Sequence, residues 1–149
     1  MTDQTVLITR AGPQDGTPIA EIFLAARAAM TYLPTLHTQA ETRAFIQNLV
    51  ATSEVWVAKV DNAIAGFASL SSTHLDHLYV HPALHHHGLG SLLLDRVKTQ
   101  HPAGFGLWTF QQNKAARRFY ERHGLVLDHL TDGADNEENL PDAFYLWRP

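Results

Sequence analysis

Apolar positions along this chain alternate, then recur at helical spacing, then alternate again, and each change of period marks the edge of an element. Val6–Arg10 alternates as a short strand that Gly12 and Pro13 end. From residue 18 to 30, Ile19, Ile22, Phe23, Ala26 and Met30 keep helical spacing, with Asp15 placed to cap the helix. Pro34 breaks the pattern across residues 31–37. Thr38 followed by Glu41 is a capping box that opens a second helix running to about Val50. Glu54–Val60 and residues 63–70 form a hairpin turned at Asp61 and Asn62, and Gly66 in its second strand marks a bulge or a close packing contact.

Residues 75–80 make a further strand, stopped by Pro82. Leu89, Leu92, Leu93 and Val97 then line one face of a third helix, with Ser91, Asp95, Arg96 and Lys98 mostly off it. A polar connection over residues 99–104 leads to a short strand at 106–110. Asn113 begins a last helix, for which Gly124 is the left-handed C-terminal cap. A strand at 125–130, an acidic loop at 131–142 and a terminal strand at 143–147 complete the chain. The order predicts an α/β fold, a mixed sheet with helices on both faces.

Composition narrows the reading. A chain of 149 residues with 45% hydrophobic content suits a single domain spanning residues 1–149. A net charge of −4 gives no support to nucleic-acid binding, although protonation of all ten histidines would carry it to +6. No cysteine is present, so disulfides, thiolate metal sites and a cysteine acyl-enzyme are excluded. No apolar run approaches the roughly 20 residues that span a bilayer, and no signal-peptide pattern opens the chain, so no membrane association and a cytoplasmic location are expected.

The candidate chemistry centres on residues 75–98. A strand, a turn bearing Gly88 and Gly90, and a helix N-terminus together make a site for an anion, most often phosphate, because glycines let backbone N–H groups approach the ligand. A dinucleotide fingerprint would need a third glycine where Leu93 stands, and a P-loop would need a Gly-Lys-Ser or Gly-Lys-Thr that is absent. The turn Gly88-Leu89-Gly90, three residues after His85 and following Leu78-Tyr79-Val80-His81-Pro82, resembles the acetyl-coenzyme A signature of the GCN5-related N-acetyltransferase (GNAT) superfamily. That signature begins with Arg or Gln, where this chain has His85. The pattern from Asn113 through Ala116, Phe119 and Tyr120 to Gly124 resembles a second motif of the same superfamily.

The resemblance implies a mostly antiparallel sheet splayed between its fourth and fifth strands to admit acetyl-CoA. It also implies acetyl transfer to a primary amine, of a small molecule or a peptide, in a ternary complex. The backbone of Leu78, Tyr79 and Val80 would then bond the acetyl and pantetheine groups, and the N–H groups of His86, His87, Gly88, Leu89, Gly90 and Ser91 the pyrophosphate. His85, His86 and His87 stand where relatives often carry Arg or Lys, and would supply charge to the phosphates only when protonated; a metal site there is not expected. Asn113, Ala116 and Tyr120 share a helical face that would line the cofactor, Asn113 capping the helix and binding pantetheine amides, and Tyr120 is the candidate acid for the leaving thiolate, against simple core packing.

His74 and Asp76 share a strand face by period two and are the candidate bases, with a water relay as the other route; His77 points to the opposite face unless a bulge intervenes. Acceptor contacts are expected from the connection between the first two helices and from the acidic loop, where Tyr32, Leu33, His37, Asn136, Glu137, Glu138, Asp142 and Tyr145 lie. Asp135 to Glu138 with Asp142 would attract a cationic amine or remain a solvated face. Trp56, Trp108 and Trp147 are expected in the core. A homodimer is possible on this reading. An acyl-CoA-binding module with little catalysis, serving as a sensor, is the alternative.

Overall fold

The computed structural model describes residues 5–84 and 88–149. Seven strands and four α-helices follow in the order β1 (Val6–Arg10), α1 (Gly16–Ala29), α2 (Gln39–Thr52), β2 (Glu54–Val60), β3 (Ala63–Ser71), β4 (His74–Val80), α3 (Leu89–Gln100), β5 (Phe105–Phe110), α4 (Lys114–Arg122), β6 (Val126–Thr131) and β7 (Asp142–Trp147). Single turns of 3-10 helix precede α1 and follow β4. The sequence expectations match this series to within a few residues at each boundary.

Local chemistry sets several of the ends. Thr38 accepts from the Glu41 N–H while the Glu41 carboxylate accepts from the Thr38 N–H, closing the predicted box on α2. Asn113 Oδ1 accepts from the Ala116 N–H at 3.1 Å and caps α4, and Gly124 follows that helix at φ 84°. Asp15 precedes α1 as expected, but its carboxylate turns back to accept from the Gly12 N–H.

One sheet runs in the order β1-β2-β3-β4-β5-β7-β6. Every neighbouring pair is antiparallel except β4 and β5, which are parallel and paired only at His74 with Gly106 and Leu75 with Leu107. Beyond those rungs the two strands part, so the sheet is splayed between its fourth and fifth strands. Two apolar clusters fill its faces. One gathers Ile19, Ile22, Ile46, Val57 and Phe67 beneath α1 and α2; the other gathers Leu70, Leu75, Leu89, Leu93, Val97, Leu107, Tyr120 and Tyr145 beneath α3 and α4.

Three details depart from the periodic reading. In α3 the buried face is Leu89, Leu93, Leu94 and Val97, while Leu92 is 42% exposed, because the helix turns its Leu94 edge onto the sheet. Trp108, expected in the core, is also 42% exposed, with its ring against His129 and Phe144 on the sheet. The pairing of β3 with β4 skips Asp76, since Ser69 opposes His77 while Leu70 opposes Leu75. That bulge puts His77 on the α1/α2 side with Tyr79, leaving Leu75, Leu78 and Val80 on the α3 side.

Candidate active site

Gly66 shows how tightly β4 and α3 approach the sheet. A Cβ there would lie 3.0 Å from the Tyr79 carbonyl oxygen and 3.2 Å from Leu93 Cδ1, so both a neighbouring bulge at Ala65 and close packing explain the glycine. At the other end of β4 the chain turns through Pro82–Leu84 towards α3, whose N-cap Gly88 sits at φ 77°. That left-handed conformation is costly for any residue with a Cβ. Among the described residues, its chain neighbours aside, no atom lies within 4 Å of the place a Gly88 Cβ would occupy. His85, His86 and His87 lie outside the described residues.

The splay determines what the adjacent backbone has to offer. In β4 the groups of residues 76–79 that point towards β5 meet no strand there, because the parallel ladder ends at Leu75. Polar backbone groups at such a place call for another partner. Leu78 and Val80 face the α3 side of this opening and share one apolar cluster with Leu89, Ala116, Phe119 and Tyr120. The sequence motifs at 78–80, 88–91 and 113–120 therefore meet around the splay.

Tyr120 is 8% exposed. Its phenol is pushed up from the ordinary tyrosine value by burial first and by the nearby Tyr79 second, so it holds its proton at neutral pH. The hydroxyl is therefore kept as a hydrogen-bond donor, and it is a weaker acid than an exposed phenol. Asn113 spends its carbonyl on the α4 cap and turns its amide towards Met30 Sδ at 3.8 Å, tying the end of α1 to the start of α4.

Tyr79 faces the other way, packed edge-on against Phe23 at 5.6 Å, with its phenol raised by burial and partly offset by Arg27. Tyr32 leans on the Phe110 ring at 6.0 Å, and its hydroxyl is the buried side-chain polar atom without a hydrogen-bond partner among the described residues. An orphaned hydroxyl at the rim of the splay fits a site completed by a ligand. Arg27 reaches Glu138 at 3.4 Å, and His37 Nε2 bonds Glu137 Oε1, so two side chains from α1 and the loop after it meet the tandem carboxylates of the β6–β7 loop.

The remaining candidates are spread more widely. His74 stacks on Phe144 at 6.2 Å at the closed end of the splay, with Nε2 3.8 Å from Asp76 Oδ1. Asp142 is buried and bonded to Thr131 Oγ1 and Asn136 Nδ2, while Asn136 also bonds the Leu140 backbone, so this pair organises the loop. Trp108, Phe110, Asp135 and Glu138 line a pocket of about 380 Å³ beside that loop.

The sequence reading set His77 on the face opposite His74 and Asp76 unless a bulge intervened, and gave it no role. The bulge at Asp76 places it half-buried among Phe23, Phe45 and Phe67, with Nδ1 2.8 Å from Ser69 Oγ. Burial drives its pKa down to about 4, against a smaller upward pull from Asp76, so the ring is neutral at neutral pH. The only signal in the sequence was the polar run at 76–77 inside an otherwise apolar strand.

A sheet opened at a single parallel pair, with a glycine-bearing helix start on one side and a buried tyrosine on the other, is the architecture of an acyl-CoA-dependent acyltransferase. The Acetyltransferase (GNAT) domain matches residues 51–125, and the chain belongs to that family. It is 30% identical over 100 residues to the peptidyl-lysine N-acetyltransferase YiaC of Escherichia coli, a match covering 66% of each chain, just under two thirds. It is 29% identical over 104 residues to the peptidyl-lysine N-acetyltransferase YjaB of Salmonella typhimurium, covering 69% of this chain and 71% of that one. Among solved structures, a GCN5-related N-acetyltransferase from Rhodopseudomonas palustris superposes with a TM-score of 0.82 at 22% identity, covering 100% of this chain and 99% of that one. YncA of Salmonella typhimurium, solved with acetyl-CoA, gives a TM-score of 0.76 at 20% identity over 97% and 94%. These likenesses bear out the fold expected from the order of elements. Among the described residues no helix is long and apolar enough to cross a membrane.

Proposed function

We propose that this chain is an acetyl-CoA-dependent N-acetyltransferase that passes the acetyl group directly to a primary amine, with lysine side chains of peptides or proteins as the acceptor class. The β4–β5 splay carries this reading: it leaves residues 76–79 of β4 without a partner strand on the β5 side, close to Tyr120 and the start of α3. The two curated relatives described above, both named for peptidyl-lysine, support the acceptor class.

Bound acetyl-CoA would supply an activated thioester carbonyl. Leu78 and its β4 neighbours would hold the acetyl and pantetheine amides through backbone groups, and the N–H groups of Gly88, Leu89, Gly90 and Ser91 would receive the pyrophosphate. An amine would displace the thiolate from that carbonyl, with the Tyr120 hydroxyl placed to give its proton to the departing sulfur and Asp76, His74 or water to take the proton of the amine. Tyr32 and the Arg27–Glu138 and His37–Glu137 pairs border the side from which the amine enters.

Titration of acetyl-CoA into the protein, with Gly90→Asp as control, tests the cofactor site. CoA release on lysine peptides against free polyamines tests the acceptor. Micromolar binding that Gly90→Asp abolishes, with turnover on peptides, is the expected result; binding with no CoA release on any amine would favour a sensor module instead.

A further inference from the structure

The start of α3 is fastened to the end of α4 by a contact that the reaction just described does not use. Ser91 Oγ, in the first turn of α3, lies 3.0 Å from Nε2 of His123, the residue that ends α4. Lys98 donates from Nζ to the His123 carbonyl, one face of the imidazole packs on Phe119 at 4.5 Å, and the Phe119 ring in turn borders Gly90. Ser91 and His123 are both half-buried, so the pair stands at the first turn of α3 without being sealed in the core.

A serine hydroxyl carries one proton. If that proton goes to His123 Nε2, the oxygen presents only lone pairs to an anion at the helix start, and the two repel. If Nε2 carries a proton and donates to Ser91 Oγ, the serine proton is released towards the anion. The charged groups facing the imidazole are Lys98 and Asp95 from α3 and Arg122 from α4. Burial, then Lys98, holds the ring towards its neutral form, with Asp95 opposing. The neutral ring can meet Ser91 with Nε2 either bare or protonated, whereas the charged ring can only donate.

We propose that Ser91 and His123 form a phosphate-recognition pair, in which His123 Nε2–H donates to Ser91 Oγ while the Ser91 hydroxyl donates to the pyrophosphate of the cofactor. The assignment rests on the acetyl-CoA reading above and extends it to a side chain on α4. A pyrophosphate close to the imidazole favours the imidazolium, so cofactor binding takes up part of a proton at His123 near neutral pH.

Calorimetric titration of CoA at pH 7 in two buffers of different ionisation enthalpy measures that uptake directly. Wild type is expected to bind with net proton uptake, and His123→Gln, which keeps a donor for Ser91 but cannot charge, is expected to show less of it. Any protonation of His85, His86 or His87 is common to both proteins and cancels in the difference. Affinity of His123→Gln is expected to fall about five- to tenfold at pH 6 and less at pH 8, the difference between a charge-assisted and a neutral hydrogen bond. Ser91→Ala is expected to lose affinity at both pH values. Dephospho-CoA, which keeps the pyrophosphate, is expected to give the same uptake as CoA.

Equal proton uptake by wild type and His123→Gln, or loss of the His123-dependent part with dephospho-CoA, would overturn the pair. Absence of CoA binding to the wild type would instead overturn the acetyltransferase reading beneath it. The two failures are therefore distinct.

Discussion

Arg27 on α1 and Glu138 in the β6–β7 loop, 111 residues apart, meet at 3.4 Å on the side of the splay proposed to admit the amine. With His37 bonded to Glu137, both carboxylates that the sequence offers most plainly to a cationic substrate already have a side-chain partner. An incoming amine would thus compete with Arg27 for Glu138. Glu138→Gln is expected to raise KM for a lysine peptide several-fold with little change in acetyl-CoA affinity. A partly exposed pair of this kind contributes at most about 1 kcal/mol to folding, so the midpoint of denaturation should barely move. Steady-state kinetics with each substrate varied in turn separates the two effects.

Tyr120→Phe removes a proton donor and keeps the ring that packs with Tyr145 at 6.3 Å. Turnover is expected to drop by about 10²- to 10⁴-fold, the usual span for a general acid, while acetyl-CoA binding and thermal stability stay near wild type. A loss confined to binding would remove Tyr120 from the acid role.

Gly90→Asp should move binding and stability in opposite directions. A Cβ at Gly90 meets the Phe119 ring at 3.4 Å, an ordinary contact, and a carboxylate in the first turn of α3 interacts favourably with the helix dipole. The folded protein is therefore expected to be unchanged or stabilised by a few tenths of a kcal/mol. The same carboxylate repels a pyrophosphate, so CoA affinity should collapse. Thermal melts alongside calorimetry read both numbers.

His77 makes stability depend on pH. Its folded pKa, about 4, lies below the unfolded value of 6.5, so between those limits the unfolded chain binds more protons and stability rises with pH. The contribution is complete above pH 6.5 and is lost as pH falls towards 4. At its largest it is on the order of 3 kcal/mol. Urea denaturation of wild type and His77→Gln at pH 7 and pH 5 should show the wild type losing more stability over that interval; equal losses would assign the acid sensitivity elsewhere.

The sequence by itself determined what local chemistry controls. Thr38 with Glu41, Asn113 and Gly124 are caps whose partners lie within four residues, and the change from alternating to helical spacing marks the elements that carry the Gly88–Gly90 turn and Tyr120. These features depend on bonds a few residues long, so reading along the chain finds them. Only the tertiary structure decided which way the side chains face and what they meet. One extra residue at Asp76 turns His77 onto the α1/α2 face, which strict period two assigns to its neighbours. The sheet selects Leu94 over Leu92 because burial depends on where α3 lands. Arg27 with Glu138, and Ser91 with His123, become partners only after β4 and β5 have parted and the loops have closed around them, because separations of 111 and 32 residues leave no local signal in the chain.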